Sequence, residues 1–200
     1  MSKKLDEWDK QIPAAVLARQ QALNARRRFL AICAGMTALP LTATMPAIAA
    51  EKYPDNWQGR EPWLTISVVQ EHLFPSDGQA PGAKQINATR YLKNVIDYHD
   101  IEASEKDFIQ NGVNWLNGLA KEMFSNGFIE LNAFQKEKVL RKVAQSRAGE
   151  NWISTLLTYI IEALLSSPSY GGNTNGVGWV WLEHKPGFPQ PPANKVYYRL

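Results

Sequence analysis

Residues 151–166 constrain the fold more than any other stretch of this chain. Trp152, Leu156, Tyr159, Ile160, Ala163 and Leu164 fill one face at helical spacing, and Ile153, Leu157, Ile161 and Leu165 fill much of another. A helix apolar nearly all round is buried in a bundle or spans a membrane. Glu162, the hydroxyls of Ser154, Thr155 and Thr158, and a length short of the ~20 residues of a span argue for the bundle. The expectation is an all-α protein whose central helix is contacted on several sides.

The rest of the chain fits around that helix. Ile66, Val69 and Leu73 form a stripe stopped by Pro75, and Ala88, Leu92, Val95 and Ile96 form a second stripe ended by His99-Asp100. Ser104 with Asp107 has capping-box form ahead of Phe108, Gly112, Trp115, Leu119 and Met123. Asn132 and Gln135 open a helix with Leu140, Val143 and Ala144 inward. Its charged face includes a Glu137–Arg141 pair at i, i+4. The prediction is an irregular bundle of about five helices. From about residue 168 the periodicity ends in an extended tail rich in glycine, proline and aromatics, which cannot build its own core.

A different kind of segment precedes the bundle. Arg26-Arg27-Arg28-Phe29-Leu30 is followed by an uncharged run from Ala31 to Ala50, containing the small-x-small site Ala47-Ile48-Ala49. Basic region, apolar region and cut site are the parts of a secretory signal. The arginine pair with Phe29-Leu30 resembles the bacterial twin-arginine signal, an address read by a translocase that carries folded cargo. Ala25 stands where that signal usually has Ser or Thr. The other reading is an N-terminal membrane anchor, which Pro40 and Pro46 interrupt. Residues 1–49 are therefore set aside as a signal peptide, and residues 50–200 are expected to form a single helical domain.

This division moves the charge. Residues 1–49 hold seven basic and three acidic residues, net +4, and the remaining 151 residues hold 15 basic and 16 acidic, net −1. No basic patch remains to argue for nucleic acid. The single cysteine, Cys33, lies in the signal, so the mature chain has no disulfide, cysteine-ligated zinc, iron–sulfur cluster or C-x-x-C-H haem site. His72, His99 and His184 lack a second ligand at metal spacing, and Gly171, Gly172, Gly176 and Gly178 form no dinucleotide loop. The residues give no independent reason to expect catalysis, a bound cofactor or a metal in this chain.

Several segments in order resemble the gluconate 2-dehydrogenase subunit 3 family: Glu71-His72-Leu73-Phe74-Pro75, Pro81-Gly82-Ala83, Tyr91-Leu92, Gly118-Leu119 and Phe134-Gln135. The strongest is Pro168-Ser169-Tyr170-Gly171-Gly172-Asn173 leading to Gly178-Trp179 and Pro186-Gly187. The resemblance implies a small subunit without a redox centre. Its partner is a flavoprotein of the glucose-methanol-choline type holding FAD, often with a multihaem cytochrome c as third subunit. It further implies that the flavoprotein has no signal and crosses to the periplasm bound to the small subunit. Pro168, Tyr170, Gly171, Gly172, Asn173, Gly178 and Trp179 are then the expected docking residues. Two rival readings stand beside this one: a free-standing periplasmic carbohydrate-binding protein stacking sugars on Trp57, Trp63, Trp179 and Trp181, and a small enzyme using a histidine.

Overall fold

The computed structural model describes residues 3–21, 57–98, 101–187 and 192. Among these the fold is all-α. The helices are α1 (Lys3–Asp9), α2 (residues 14–21), α3 (Trp63–Leu73), α4 (Ala88–Tyr98), α5 (Ala103–Phe124), α6 (Ala133–Val143), α7 (Arg147–Leu165) and α8 (Val177–Trp181), with three 3-10 turns between α5 and α8.

The stretch apolar on two faces is α7, and it is the centre of the bundle. It packs against α1, α3, α4, α5 and α8. Ser146 caps it, its Oγ accepting from the Gly149 amide at 3.0 Å. Trp152 is fully buried, and its indole N–H donates to the Ile109 carbonyl at 2.9 Å. That ring lies where a side chain at position 112 of α5 would point. A Cβ built on Gly112 would overlap the Trp152 indole, so glycine sets the α5–α7 approach. The second face is covered only in part: Ile153 and Leu157 pack against the core, but Ile161 and Leu165 face solvent.

The capping box of α6 forms as expected. Asn132 Oδ1 accepts from the Gln135 amide, and Gln135 Oε1 accepts from the Asn132 amide. The one expected at Ser104 does not. The helix begins two residues earlier with Glu102 as N-cap, which places Ser104 inside the first turn, its hydroxyl donating to Glu102. Eight helices, against about five expected, come from α1 and α2 in a segment set aside from the fold and from α8 in the tail.

Residues 3–21 are part of the same core as the rest. Leu5, Trp8 and Val16 are 2 %, 1 % and 3 % exposed. The Trp8 ring lies 6.1 Å from Trp115 in a stacked arrangement, 6.1 Å from Trp152 edge-on and 6.3 Å from Phe108. Asp9 Oδ1 accepts from the Ala148 amide at 2.6 Å, placing a carboxylate at the positive end of α7. Lys4 Nζ donates to the Gly118 carbonyl at 3.1 Å. The described packed unit thus joins residues 3–21 to residues from 57 onward in one core.

Candidate partner-docking surface

Residues 168–182 of the tail are folded rather than extended. They fold back on the C-terminal end of α7. A 3-10 turn spans Pro168–Tyr170, a second spans Thr174–Gly176, and α8 follows directly. Four residues with positive φ make this path: Gly171 (92°), Asn173 (45°), Asn175 (55°) and Gly176 (69°). Asn173 then ties the turn together. Its Nδ2 donates to the Ser166 carbonyl at 3.0 Å, and its Oδ1 accepts from the Gly178 amide at 2.7 Å. Trp179 closes the unit, its indole N–H donating to the Leu165 carbonyl at 2.8 Å. Thus Asn173 and Trp179 satisfy carbonyls that the end of α7 would otherwise leave unpaired.

These contacts set how far each of the expected docking residues is exposed. Gly172, Asn173, Gly178 and Trp179 are buried against their own subunit. A Cβ on Gly172 would come within 2.9 Å of Ala163 Cα, and one on Gly178 would overlap the Leu164 carbonyl. Tyr170 and Gly171 are half-buried, and Asn94 Nδ2 donates to the Tyr170 carbonyl at 3.0 Å. Pro168 is half-buried at the start of its turn. Trp179 is 7 % exposed, with its ring anchored against its own subunit. What the motif holds outward is Val180, Trp181 and Leu182, 77 %, 40 % and 41 % exposed. The Trp181 ring meets Phe74 edge-on at 6.4 Å, which links α8 to the end of α3. With Ile161 and Leu165 on α7, five large apolar side chains are exposed on two elements that pack against each other. Single exposed apolar residues are ordinary, whereas a contiguous apolar patch is the kind of surface an interaction site uses. Sequence periodicity had already placed Ile161 and Leu165 on one face, whereas Val180–Leu182 carried no periodic signal.

Two polar clusters lie elsewhere. Arg19 Nη1 donates to Glu105 at 2.7 Å and to the Tyr159 hydroxyl at 2.6 Å, and Nη2 donates to Glu162 at 3.2 Å. Burial lowers the guanidinium's affinity for its proton, but the bond to Tyr159 and the two carboxylates outweigh this, and its pKa is raised. Burial pushes the Tyr159 phenol up to about 12, with Arg19 opposing, and burial raises the Glu162 carboxyl above its ordinary range despite Arg19. The second cluster joins α3 to α6. His72 Nε2 and Glu137 Oε2 lie 2.7 Å apart, and Glu137 Oε1 pairs with Arg141 at 2.7 Å. The hydrogen bond from His72, with Arg141 behind it, holds the Glu137 carboxyl below its usual range. This network borders an open groove of about 700 Å³ lined in part by Ser67, Glu71, His72, Lys84 and Lys136.

Among the described residues no group of three or more His, Cys, Asp or Glu side chains is placed to hold a metal, and no helix is long and apolar enough to cross a membrane. The four tryptophans of the carbohydrate reading do not present a common face, since Trp63 and Trp179 are buried. Arg26, Arg27, Phe29, Leu30, Ala47 and Ala49 lie outside the described residues.

The family model for gluconate 2-dehydrogenase subunit 3 matches residues 60–187. This chain belongs to that family. The match covers α3 through α8, including the turn built on Asn173 and Trp179. Neither the curated proteins nor the solved structures contain a match. Membership makes the chain a subunit of a dehydrogenase complex, and so implies other subunits.

Proposed function

We propose that this chain is the non-catalytic small subunit of a periplasmic, membrane-associated FAD-dependent dehydrogenase of the gluconate 2-dehydrogenase type. Its role is to bind the folded flavoprotein, stabilise it and carry it through the twin-arginine translocase. FAD belongs to the large subunit, of glucose-methanol-choline type, and haem c to a cytochrome subunit where one is present. The carrying observation is the exposed apolar group Ile161, Leu165, Val180, Trp181 and Leu182, built at the end of the family-matched region. Its support in a single buried motif is the arrangement a docking surface needs, because rigid backing lowers the cost of ordering on binding. The arginine pair and the uncharged run behind it supply the export half of the reading.

Two measurements test it. Arg26 and Arg27 replaced together by Lys should leave both this chain and its flavoprotein in the cytoplasm, while Arg28→Lys has far less effect. Normal periplasmic dehydrogenase activity in the double variant would refute the escort role. Purification of the wild-type chain should bring a stoichiometric yellow partner, whereas a colourless chain purified alone from cells expressing both subunits would refute the subunit role.

A further inference from the structure

The groove between α3 and the start of α6 lies outside the apolar patch of α7 and α8, yet it adjoins it. Its floor is apolar, from Val68, Pro75 and Ala83. Pro75 follows Phe74, whose ring meets Trp181, so groove and patch share the Phe74-Pro75 corner. The walls are fixed. Glu71 Oε2 accepts from the Lys84 amide at 2.9 Å, and the Ala83 amide donates to the Phe74 carbonyl at 2.8 Å, which clamps the loop after α3 back on the helix. A Cβ on Gly82 would lie 2.6 Å from the Ser76 nitrogen, so this path of the loop needs glycine there. On the other side, His72 and Glu137 join α3 to α6. The charges at the groove are unequally committed. Glu71 is taken by the Lys84 amide, and Glu137 by His72 and Arg141. The ammonium groups of Lys84 and Lys136 pair with no carboxylate among the described residues. Ala133, the first residue of α6, also lines the groove, so the positive end of that helix opens onto it.

We propose that this groove is the second half of the partner interface: it takes a short segment of the flavoprotein whose Asp or Glu carboxylate pairs with Lys84 and Lys136. The proposal rests on the subunit reading given above and names the chemistry of the partner. A space of about 700 Å³ is of the size that proteins use for a bound ligand, and it suits a few residues of chain rather than a whole domain face. The uncommitted charge selects an acidic segment, because a basic one would meet two unpaired lysines and a helix N-terminus. The hydroxyls of Ser67 and Thr89 spend their protons on the Leu64 carbonyl and on Gln70, which leaves both oxygens as acceptors for backbone N–H groups of that segment. The clamped loop and the His72–Glu137 link hold these groups in place before the partner arrives, which lowers the cost of ordering on binding. The division of labour follows. The apolar side chains of α7 and α8 supply the buried area, and the groove fixes register and excludes partners with the wrong charge.

The test uses the full chain co-expressed with its flavoprotein and purified as the complex. A water-soluble carbodiimide, which condenses an amine with a carboxylate in contact, should join Lys84 or Lys136 to an Asp or Glu of the flavoprotein, located by peptide mass spectrometry. Lys84→Glu together with Lys136→Glu should weaken the complex by at least about tenfold, read from its dissociation on dilution, and the matching pair of Gln substitutions should weaken it less. Lys84 is exposed, Lys136 is half-buried, and neither ammonium group is paired, so the subunit's own Tm should move by no more than about 2 °C. If the double Glu variant fails to fold, cross-linking of the wild-type complex decides. Cross-links from these lysines only within this chain, or to a second copy of it, would overturn the proposal, as would unchanged affinity of a folded double Glu variant. A complex weakened by Trp181→Ala but not by the double Glu change would remove the groove and leave the α8 patch standing. A purified chain without any flavoprotein would refute the subunit reading itself, and the groove's role with it.

Discussion

Trp8→Ala is the sharpest probe of this architecture, because it lies in a segment that the signal reading separates from the domain. The indole is 1 % exposed and touches Trp115, Trp152 and Phe108. Truncating a buried Trp costs about 3–5 kcal/mol, the transfer term plus that of the cavity left behind. The neighbours are themselves large rings on α5 and α7, and the Trp152 N–H is fixed to the Ile109 carbonyl. Collapse into the hole is therefore limited, and the upper half of that range is expected. For a chain of this size about 1 kcal/mol moves Tm by roughly 2–4 °C, so the loss should be on the order of 10–20 °C. Thermal unfolding of the full-length chain, followed by circular dichroism, reads it directly. Trp181→Ala is the matched control: the same residue type, 40 % exposed, and expected to change stability by about 1 kcal/mol at most. A Trp8→Ala shift below about 2 °C, near the level of a surface change, would mean that residues 3–21 do not belong to the core.

The same pair of tryptophan types separates docking from folding at the C-terminal end. Trp181→Ala should weaken binding of the flavoprotein by about 2 kcal/mol, roughly thirtyfold in Kd, whereas Trp179→Ala should chiefly lower the subunit's own Tm; the opposite assignment would place the docking surface elsewhere. Gly112→Ala should destabilise by about 1–3 kcal/mol through overpacking against Trp152, seen as a lower urea midpoint at unchanged slope; an unaltered midpoint would mean that α5 and α7 approach less closely than described. Glu162 gives a pH test. Its folded pKa is raised above the ordinary 4.5 by burial, so the folded chain holds that proton more tightly than the unfolded one. Its contribution is greatest below about pH 4 and falls as pH rises through 4.5 towards the folded value. Denaturant titrations between pH 4 and 7 should show wild type losing stability relative to Glu162→Gln as pH rises, and a difference of the opposite slope would refute burial as the dominant effect.

Much of the fold was legible because one periodic signal ran through it. Apolar residues recurring every three to four positions located α3 to α7, and reciprocal side-chain caps located the start of α6. Ser104 misled because an acceptor three residues ahead of a carboxylate satisfies the capping pattern without being the cap; Glu102, lacking a side-chain cap bond, takes that place. The N-terminal helices were missed for a different reason. Leu5, Trp8, Ile12 and Val16 do recur at helical spacing, with Pro13 opening the second helix. The stripe lies ahead of the arginine pair, where a signal's basic region carries no expectation of packing. The tail was illegible to periodicity altogether. Two asparagines and two glycines at positive φ carry its path, and a five-residue helix is too short to show a stripe.

The tail also shows why a sequence motif and a contact surface need not coincide. Asn173 fills two opposed hydrogen-bonding positions, Gly178 must let its backbone reach the Leu164 carbonyl, and Trp179 must reach Leu165. Each requirement is met by one residue type at one place, and the distances leave little room for another. Val180, Trp181 and Leu182 face outward and are restricted only by what they meet. A motif recognisable as Gly-Gly-Asn ahead of Gly-Trp is therefore a record of how α8 is fastened to the end of α7. Docking specificity should reside beside it, on the side chains that α8 displays. It follows that exchanging Val180, Trp181 and Leu182 together for those of another family member should redirect partner choice without loss of helix content. Exchanging Asn173 or Gly178 should unfasten α8, expose the last carbonyls of α7, and weaken every partner alike.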